Sequence, residues 1–361
     1  MSDTQRELSW SFFKICNEAA ERPERESHPR DYLWATDLGR APVDVFLSMR
    51  GEKPTNPPNA RSMRKFHAGN VWEGYFYMVL WAAGILKQSQ SHLVHQYPGL
   101  LKVTGRQDFL AGGVGDWEKA RVIMRNVPFI EPFRYFIDNM INGFEKAYGN
   151  KELKTIVIEA KSVSSFMFER YMKTGKANLH HEIQSFHYLK AQGLDEAHVA
   201  YINKDDSMML ECGVFNPSAV EDEYKKRIAM LTRYIKSGEQ PANEPEVLFD
   251  DDFVKFSTNW RIEYSQYLSK LYGYKTPEEY RERWDATVAS FNRTFKRVIA
   301  SETGATTPTG KPILLTPLNK TTIEEMKKTF TNLDELVQKA IVAAKTDPTL
   351  LGESEGGEQK E

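Results

Sequence analysis

The chain has 361 residues, 40% of them hydrophobic and 12% aromatic. That is enough for a sizeable core and excludes wholesale disorder. Lys and Arg number 48 against 50 Asp and Glu, a net charge of −2, which excludes a protein that coats nucleic acid by bulk charge but leaves room for a local basic groove. At about 150 residues per domain, the length suggests two domains or one elaborated domain.

Residues 1–30 read as an amphipathic helix and a polar stretch without a clean apolar core, so no signal peptide is expected. Residues 31–60 hold a short helical segment ended by Gly51 and the prolines at 54, 57 and 58. The basic cluster Arg61, Arg64, Lys65 and His67 opens a helix over about 62–86. Its Val71, Tyr75, Met78, Val79, Ala82 and Leu86 recur at helical spacing, and Trp72, Phe76, Leu80 and Ala83 make a second apolar side, so the helix is expected to be buried. The run 71–86 carries Glu73 and is too short to span a bilayer; no membrane association is expected.

Next, 92–97 and 100–113 read as two strands joined by Pro98-Gly99, followed by an excursion over 114–150 that contains a helical stretch. Residues 154–163, KTIVIEAKSV, are rich in β-branched side chains and read as a central strand. Residues 178–193 read as a helix with Asn178 as N-cap and Gly193 as its stop. Segments 196–206 and 208–215 read as two further strands. The expected divisions are an N-terminal helical region 1–60, an α/β core 61–215 with 114–150 inserted, a helical region 216–300, a linker 301–320, one terminal helix 321–345 and a disordered tail 346–361.

Chemistry concentrates in four places. Glu73 lies on the buried helix, Asp108 in VTGRQDFLAGG, Glu159 and Lys161 in IVIEAKSV, and Gln184 and Tyr188 on the last core helix. Residues two apart in a strand point to the same side, so Glu159 and Lys161 project together while Ala160 faces away. A charged pair in an apolar strand is costly without partners, and an Asp from a neighbouring strand, a Glu from a covering helix and a cation would satisfy it. Oxygen ligands of this kind suit Mg²⁺ or Mn²⁺. Gln184 and Tyr188, four apart, share a helix face. Each residue alone is ordinary, an ion pair or a solvated charge; the ordered set is far more specific.

This set resembles the PD-(D/E)XK nuclease superfamily: Glu73 on a helix, G-R-x-D ending at Asp108, E-A-K from Glu159 to Lys161, and Q-x-x-x-Y from Gln184 to Tyr188. The following AYINKDD, with Lys204, resembles the RecB-type exonuclease branch, which includes CRISPR-associated and phage members. The resemblance covers about residues 32–270. It implies a restriction-endonuclease-like α/β core, a central mixed sheet flanked by helices, with helical additions at both ends. It also implies a Mg²⁺- or Mn²⁺-dependent DNA exonuclease. Asp108, Glu159 and the Ala160 carbonyl would hold the metal, with Glu73 completing the site directly or through water. Lys161 would orient or activate the attacking water. Gln184 and Tyr188 would steady the site and touch the DNA backbone, and Arg61, Arg64, Arg106 and Lys204 would also meet DNA, single- or double-stranded. An endonuclease on the same core, or a DNA-binding or assembly protein without turnover, are the alternatives.

Two departures from the family pattern stand out. Asp108 and Glu159 are 51 positions apart (159 − 108), hence the inserted segment 114–150, whose Arg121 and Arg125 either meet phosphate or decorate a covering helix. Many relatives hold an iron–sulfur cluster, but Ala41, Ile262 and Ser265 stand where its cysteines would be, and Cys16 and Cys212 fit neither place, so no cluster is expected. Two cysteines make no disulfide scaffold, and the expected setting is a reducing cytoplasm, that of a host if the protein is phage-encoded. His181-Glu182 lacks the second histidine of a zinc-protease helix because position 185 is Ser, which leaves His180 and His181 as surface or DNA-facing residues. The terminal helix is expected to cap the fold or to dock a protein partner.

Overall fold

The structure, a computed structural model, describes residues 27–126, 128, 131–214, 217–250, 254–303 and 320–346. The helix expected near the N-terminus, residues 304–319 of the linker and the tail from 347 onward lie outside the described residues. The chain divides into two compact units, Met1–Pro241 and Ala242–Glu361.

The first unit begins with β1 (Leu33–Trp34), a 3-10 turn (Ala35–Gly39) and α1 (Pro42–Met49), where a single helical segment was expected. Helix α2 (Ala60–Ala82) follows, with the Asn59 side chain accepting from the Ser62 amide at 2.9 Å. It stops four residues short of the expected end because Gly84 turns left-handed at φ 71° and the chain enters β2 (Leu86–His95). That strand was read only from His92 onward; its first half, LKQSQS, is polar because an edge strand buries little. Then come β3 (Val103–Gly113), α3 (Trp117–Asn126), α4 (Glu131–Tyr148), β4 (Leu153–Val163), α5 (Ser165–Thr174), α6 (Leu179–Gln192), β5 (Ala197–Asn203), β6 (Met209–Val214) and α7 (Pro217–Ser237). Helix α6 has the expected ends: Asn178 accepts from the His180 amide at 2.9 Å and Gly193 closes it at φ 67°.

The sheet is mixed, in the order β1-β3-β4-β5-β6, with β2 also on β3. Strands β1 and β3 are parallel, as are β4 and β5; the other neighbours are antiparallel. Helices flank it. On one face Leu110, Val157, Val199 and Tyr201 pack with Ile183, Phe186 and Leu189 of α6 and Tyr224, Ile228 and Leu231 of α7. On the other, Phe109 and Ala111 pack with Tyr75 and Val79 of α2, Ala120 and Met124 of α3, and Ile137 and Ile141 of α4. The 114–150 segment is therefore a helical pair that covers the sheet. Arg121 is engaged within it, bonded to Glu118, Asn142 and Glu145, and is not free for phosphate.

The pairing of β3 leaves a gap. β2 runs along one side from Val103 to Ala111. On the other side β1 pairs with Val103 and Thr104, and β4 pairs only from Phe109 onward. Among the described residues no strand is paired with Gly105, Arg106, Gln107 or Asp108 on that side.

In the second unit the expected all-helical pattern is broken by a hairpin of β7 (Val247–Asp250) and β8 (Lys255–Thr258), strands too short for periodicity to reveal. Helices α8 (Trp260–Glu263), α9 (Leu268–Tyr272) and α10 (Pro277–Thr303) follow; α10 takes up the first three residues of the expected linker. The single terminal helix is instead two, α11 (Lys320–Thr329) and α12 (Leu333–Thr346), separated by a turn at Thr331-Asn332, residue types that favour turns. Met326, Leu333, Leu336, Ala340 and Ile341 are buried with Phe256, Phe291 and Phe295. Burial of these side chains on this core is what the capping reading of the terminal segment expects.

Candidate active site

The gap in β3 brings four of the sequence-derived residues together. At its end, where β3 and β4 part, the Asp108 carboxylate takes the place of a ladder acceptor: its Oδ2 accepts from the Ala160 amide at 2.9 Å. Glu159 and Lys161 project together toward α6, as two-residue spacing requires, while Ala160 packs on the α2 side. Lys161 Nζ donates to Glu159 Oε1. Glu159 is fully buried, and its Oε2 has no hydrogen-bond partner among the described residues. Glu73 reaches the group from α2.

The electrostatics are those of crowded acids. Burial, the largest cause, pushes Glu159 up to about 8; Lys161 opposes this, and Asp108 and Glu73 add to it. Burial and then Asp108 push Glu73 up to about 7, against Lys161. Burial also raises Asp108, while Lys161 and the hydrogen bonds from Ala160 and Gln90 pull it down. For Lys161 burial works against the charge, yet Glu159, Asp108 and Glu73 together hold it above its usual value. Three carboxylates thus share one cationic side chain, that of Lys161.

A divalent cation fits that donor set. The unpartnered Glu159 Oε2, the second oxygen of Asp108 and the Ala160 carbonyl are hard oxygens in a cluster of three acidic side chains. Among the described residues no three His, Cys, Asp or Glu side chains are arranged to hold a metal by themselves, so a backbone carbonyl and water would have to complete the shell.

Gln184 and Tyr188 are brought to the same site, but from inside. Gln184 donates to the Tyr188 hydroxyl at 3.2 Å, and they are 5% and 1% exposed. Tyr188 lies close enough to Glu159 and Asp108 for their charges to act on its hydroxyl. Tyr188 also explains the glycine of G-R-x-D. A Cβ on Gly105 would stand 2.9 Å from the Tyr188 ring. His181, read as a surface or DNA-facing residue, is held neutral by burial and is bonded to the Tyr201 hydroxyl at 2.8 Å; a side chain on Gly39 would strike His180.

Of the expected DNA-facing cations, Arg64, Arg106 and Lys204 are exposed, and Arg61 lies in α2 with its side chain outside the description. Lys204 follows β5 and lies close enough to Lys65 of α2 for the two charges to repel; burial, then Lys65, lowers it. Gln90 was missed. It stands on β2 opposite Asp108 and bonds two of the site's carboxylates. A lone Gln in a polar run carries no signal in sequence.

No protein-family model matches this chain, and neither does any curated protein sequence. Among solved structures, SSO0001 is similar over 61% of this chain and 87% of its own, at 15% identity and a TM-score of 0.35. LHK-Exo in complex with dAMP is similar over 58% and 89%, at 12% identity and a TM-score of 0.36. The alkaline exonuclease LHK-Exo from Laribacter hongkongensis is similar over 63% and 96%, at 11% identity and a TM-score of 0.31. Among the described residues no helix is long and apolar enough to cross a membrane.

Proposed function

We propose that the first unit is a PD-(D/E)XK-type nuclease that hydrolyses DNA phosphodiester bonds with Mg²⁺ or Mn²⁺, working inward from an end. One observation carries this: the fully buried Glu159, with one oxygen bound by Lys161 and the other unpartnered, beside an Asp108 anchored at the fork of two strands. A structural ion pair needs neither the second acid nor the third. Asp108, Glu159 and the Ala160 carbonyl would hold the cation, which supplies charge neutralisation at the scissile phosphate and a water of lowered pKa. Lys161 orients the attacking water and meets a phosphate oxygen. Glu73, titrating near neutrality, holds or releases a proton beside them. Lys65, Lys204 and Arg106 are the exposed cations for the backbone of the substrate strand. The exposed Phe66, seven residues before Glu73 and so on the same side of α2, offers a ring for an unpaired base. The preference for ends rests on the resemblance of the E-A-K, Q-x-x-x-Y and AYINKDD segments to RecB-type exonucleases.

The test is incubation with end-labelled linear DNA, single- and double-stranded, and with covalently closed circles, in Mg²⁺, Mn²⁺ or EDTA. Linear DNA should shorten with metal, and closed circles should survive. Rapid cutting of closed circles replaces the exonuclease with an endonuclease. Binding without cleavage in every metal leaves a DNA-binding protein.

A further inference from the structure

Gln90 sits in the middle of β2 with its backbone in the left-handed region, at φ 51°. Antiparallel strands keep φ near about −140°, and glutamine has no local side-chain bond that eases a left-handed conformation as Asn and Asp do. Its neighbours keep register: Ser89 pairs with Phe109 and Ser91 with Gln107. The departure is therefore confined to one residue, the one opposite Asp108. β2 contains no proline or glycine at this point, and its register shift lies earlier, between Leu86 and Gln88. What the left-handed conformation achieves is aim. The Gln90 amide nitrogen donates to Glu73 Oε1 on α2, and the same side chain hydrogen-bonds the Asp108 carboxylate on β3. A primary amide has two hydrogens and no charge, so it can bridge two carboxylates without neutralising either. Strain concentrated at one residue that touches two acids of a site is a mark of positioning.

We propose that Gln90 is a positioning residue that spaces the Glu73 and Asp108 carboxylates for a divalent cation. The amide holds the acids apart at a fixed separation in the metal-free protein, and the strained strand keeps the amide there. This rests on the cation-dependent reading above. It adds a third strand, β2, to β3 and β4 among the elements that build the site.

Two measurements test it. The first is a double-mutant cycle in EDTA: denaturant midpoints of wild type, Gln90→Gly, Glu73→Ala and the double variant. Gln90→Gly removes the amide and relieves the backbone, so the strand itself is not threatened. Non-additive midpoints are expected, because the effect of Glu73→Ala depends on the amide being present. The second is calorimetric Mn²⁺ binding. Residues that hold metal ligands in place typically govern affinity by about 10- to 100-fold, and Gln90→Gly should weaken Mn²⁺ by that much. Gln90→Asn tolerates the left-handed backbone but falls one methylene short, and should weaken Mn²⁺ too. If wild type binds Mn²⁺ and Gln90→Gly binds it equally tightly, the proposal is overturned and the nuclease reading stands. If wild type binds no Mn²⁺, the cation reading falls with it, and the cycle alone decides whether the amide couples to Glu73; additive midpoints then reject the bridge as well.

Discussion

The Asp108 carboxylate accepts a hydrogen bond from the Ala160 amide at 2.9 Å, at the point where β3 and β4 cease to pair. One side chain therefore both closes the fork and leaves its second oxygen to the site. The two jobs come apart on substitution. Asp108→Asn keeps an oxygen for the amide and loses the charge, so the protein should stay folded while Mn²⁺ binding weakens and cleavage collapses. Calorimetry and single-turnover cleavage read the two.

Lys161→Ala should do the reverse. It removes the cation that repels a metal, so Mn²⁺ binding should be equal or tighter. It also removes the group that orients the nucleophile, and cleavage should fall by about a hundredfold to ten-thousandfold. Cleavage at the wild-type rate would reduce the Glu159–Lys161 pair to a salt bridge.

The raised acids set a pH dependence. Glu73 is pushed up to about 7 and Glu159 to about 8, from about 4.5 in the unfolded chain. The folded state thus holds protons that the unfolded state releases, so their stabilisation is full below about pH 4.5 and is lost as pH rises through 7 to 8. In EDTA the melting temperature should fall across that window, and Glu73→Gln with Glu159→Gln should flatten the fall. An unchanged slope in the double variant would contradict the crowding of these acids.

Tyr188→Phe separates support from DNA contact. The hydroxyl is buried and receives the Gln184 amide. Its loss leaves that donor unsatisfied, at a cost of about 1–3 kcal/mol in stability. DNA affinity of the folded variant should be unchanged; a large drop in affinity at full folding would return Tyr188 to the DNA surface.

The basic side of α2 makes a separate prediction. Lys65→Ala and Lys204→Ala should each weaken DNA binding alike for all sequences and reduce the salt slope by about 1. A salt slope identical to wild type in both variants would move the DNA path elsewhere.

Much of the first unit was legible. The β-branched run placed β4, and Asn178 and Gly193 bracketed α6 because caps act locally. Two-residue spacing put Glu159 and Lys161 on one side. What escaped depends on long-range packing. The polar half of β2 has no period because an edge strand needs none, and the β7–β8 hairpin is too short to show one. The burial of Tyr188 follows from Gly105, 83 positions away (188 − 105), and the role of Gln90 from a backbone twist that composition does not encode.

The gap in β3 has a mechanical consequence. Among the described residues the backbone of that strand between Thr104 and Phe109 is paired with β2 alone, whereas on either side of the interval it is paired on both edges. Strands yield where their lacing is thinnest, so Gly105–Asp108 is the interval of β3 expected to open first. Local opening there, read as amide exchange faster than at Leu110 or Val157, would move Asp108 relative to Glu159 while leaving both ends of the strand anchored.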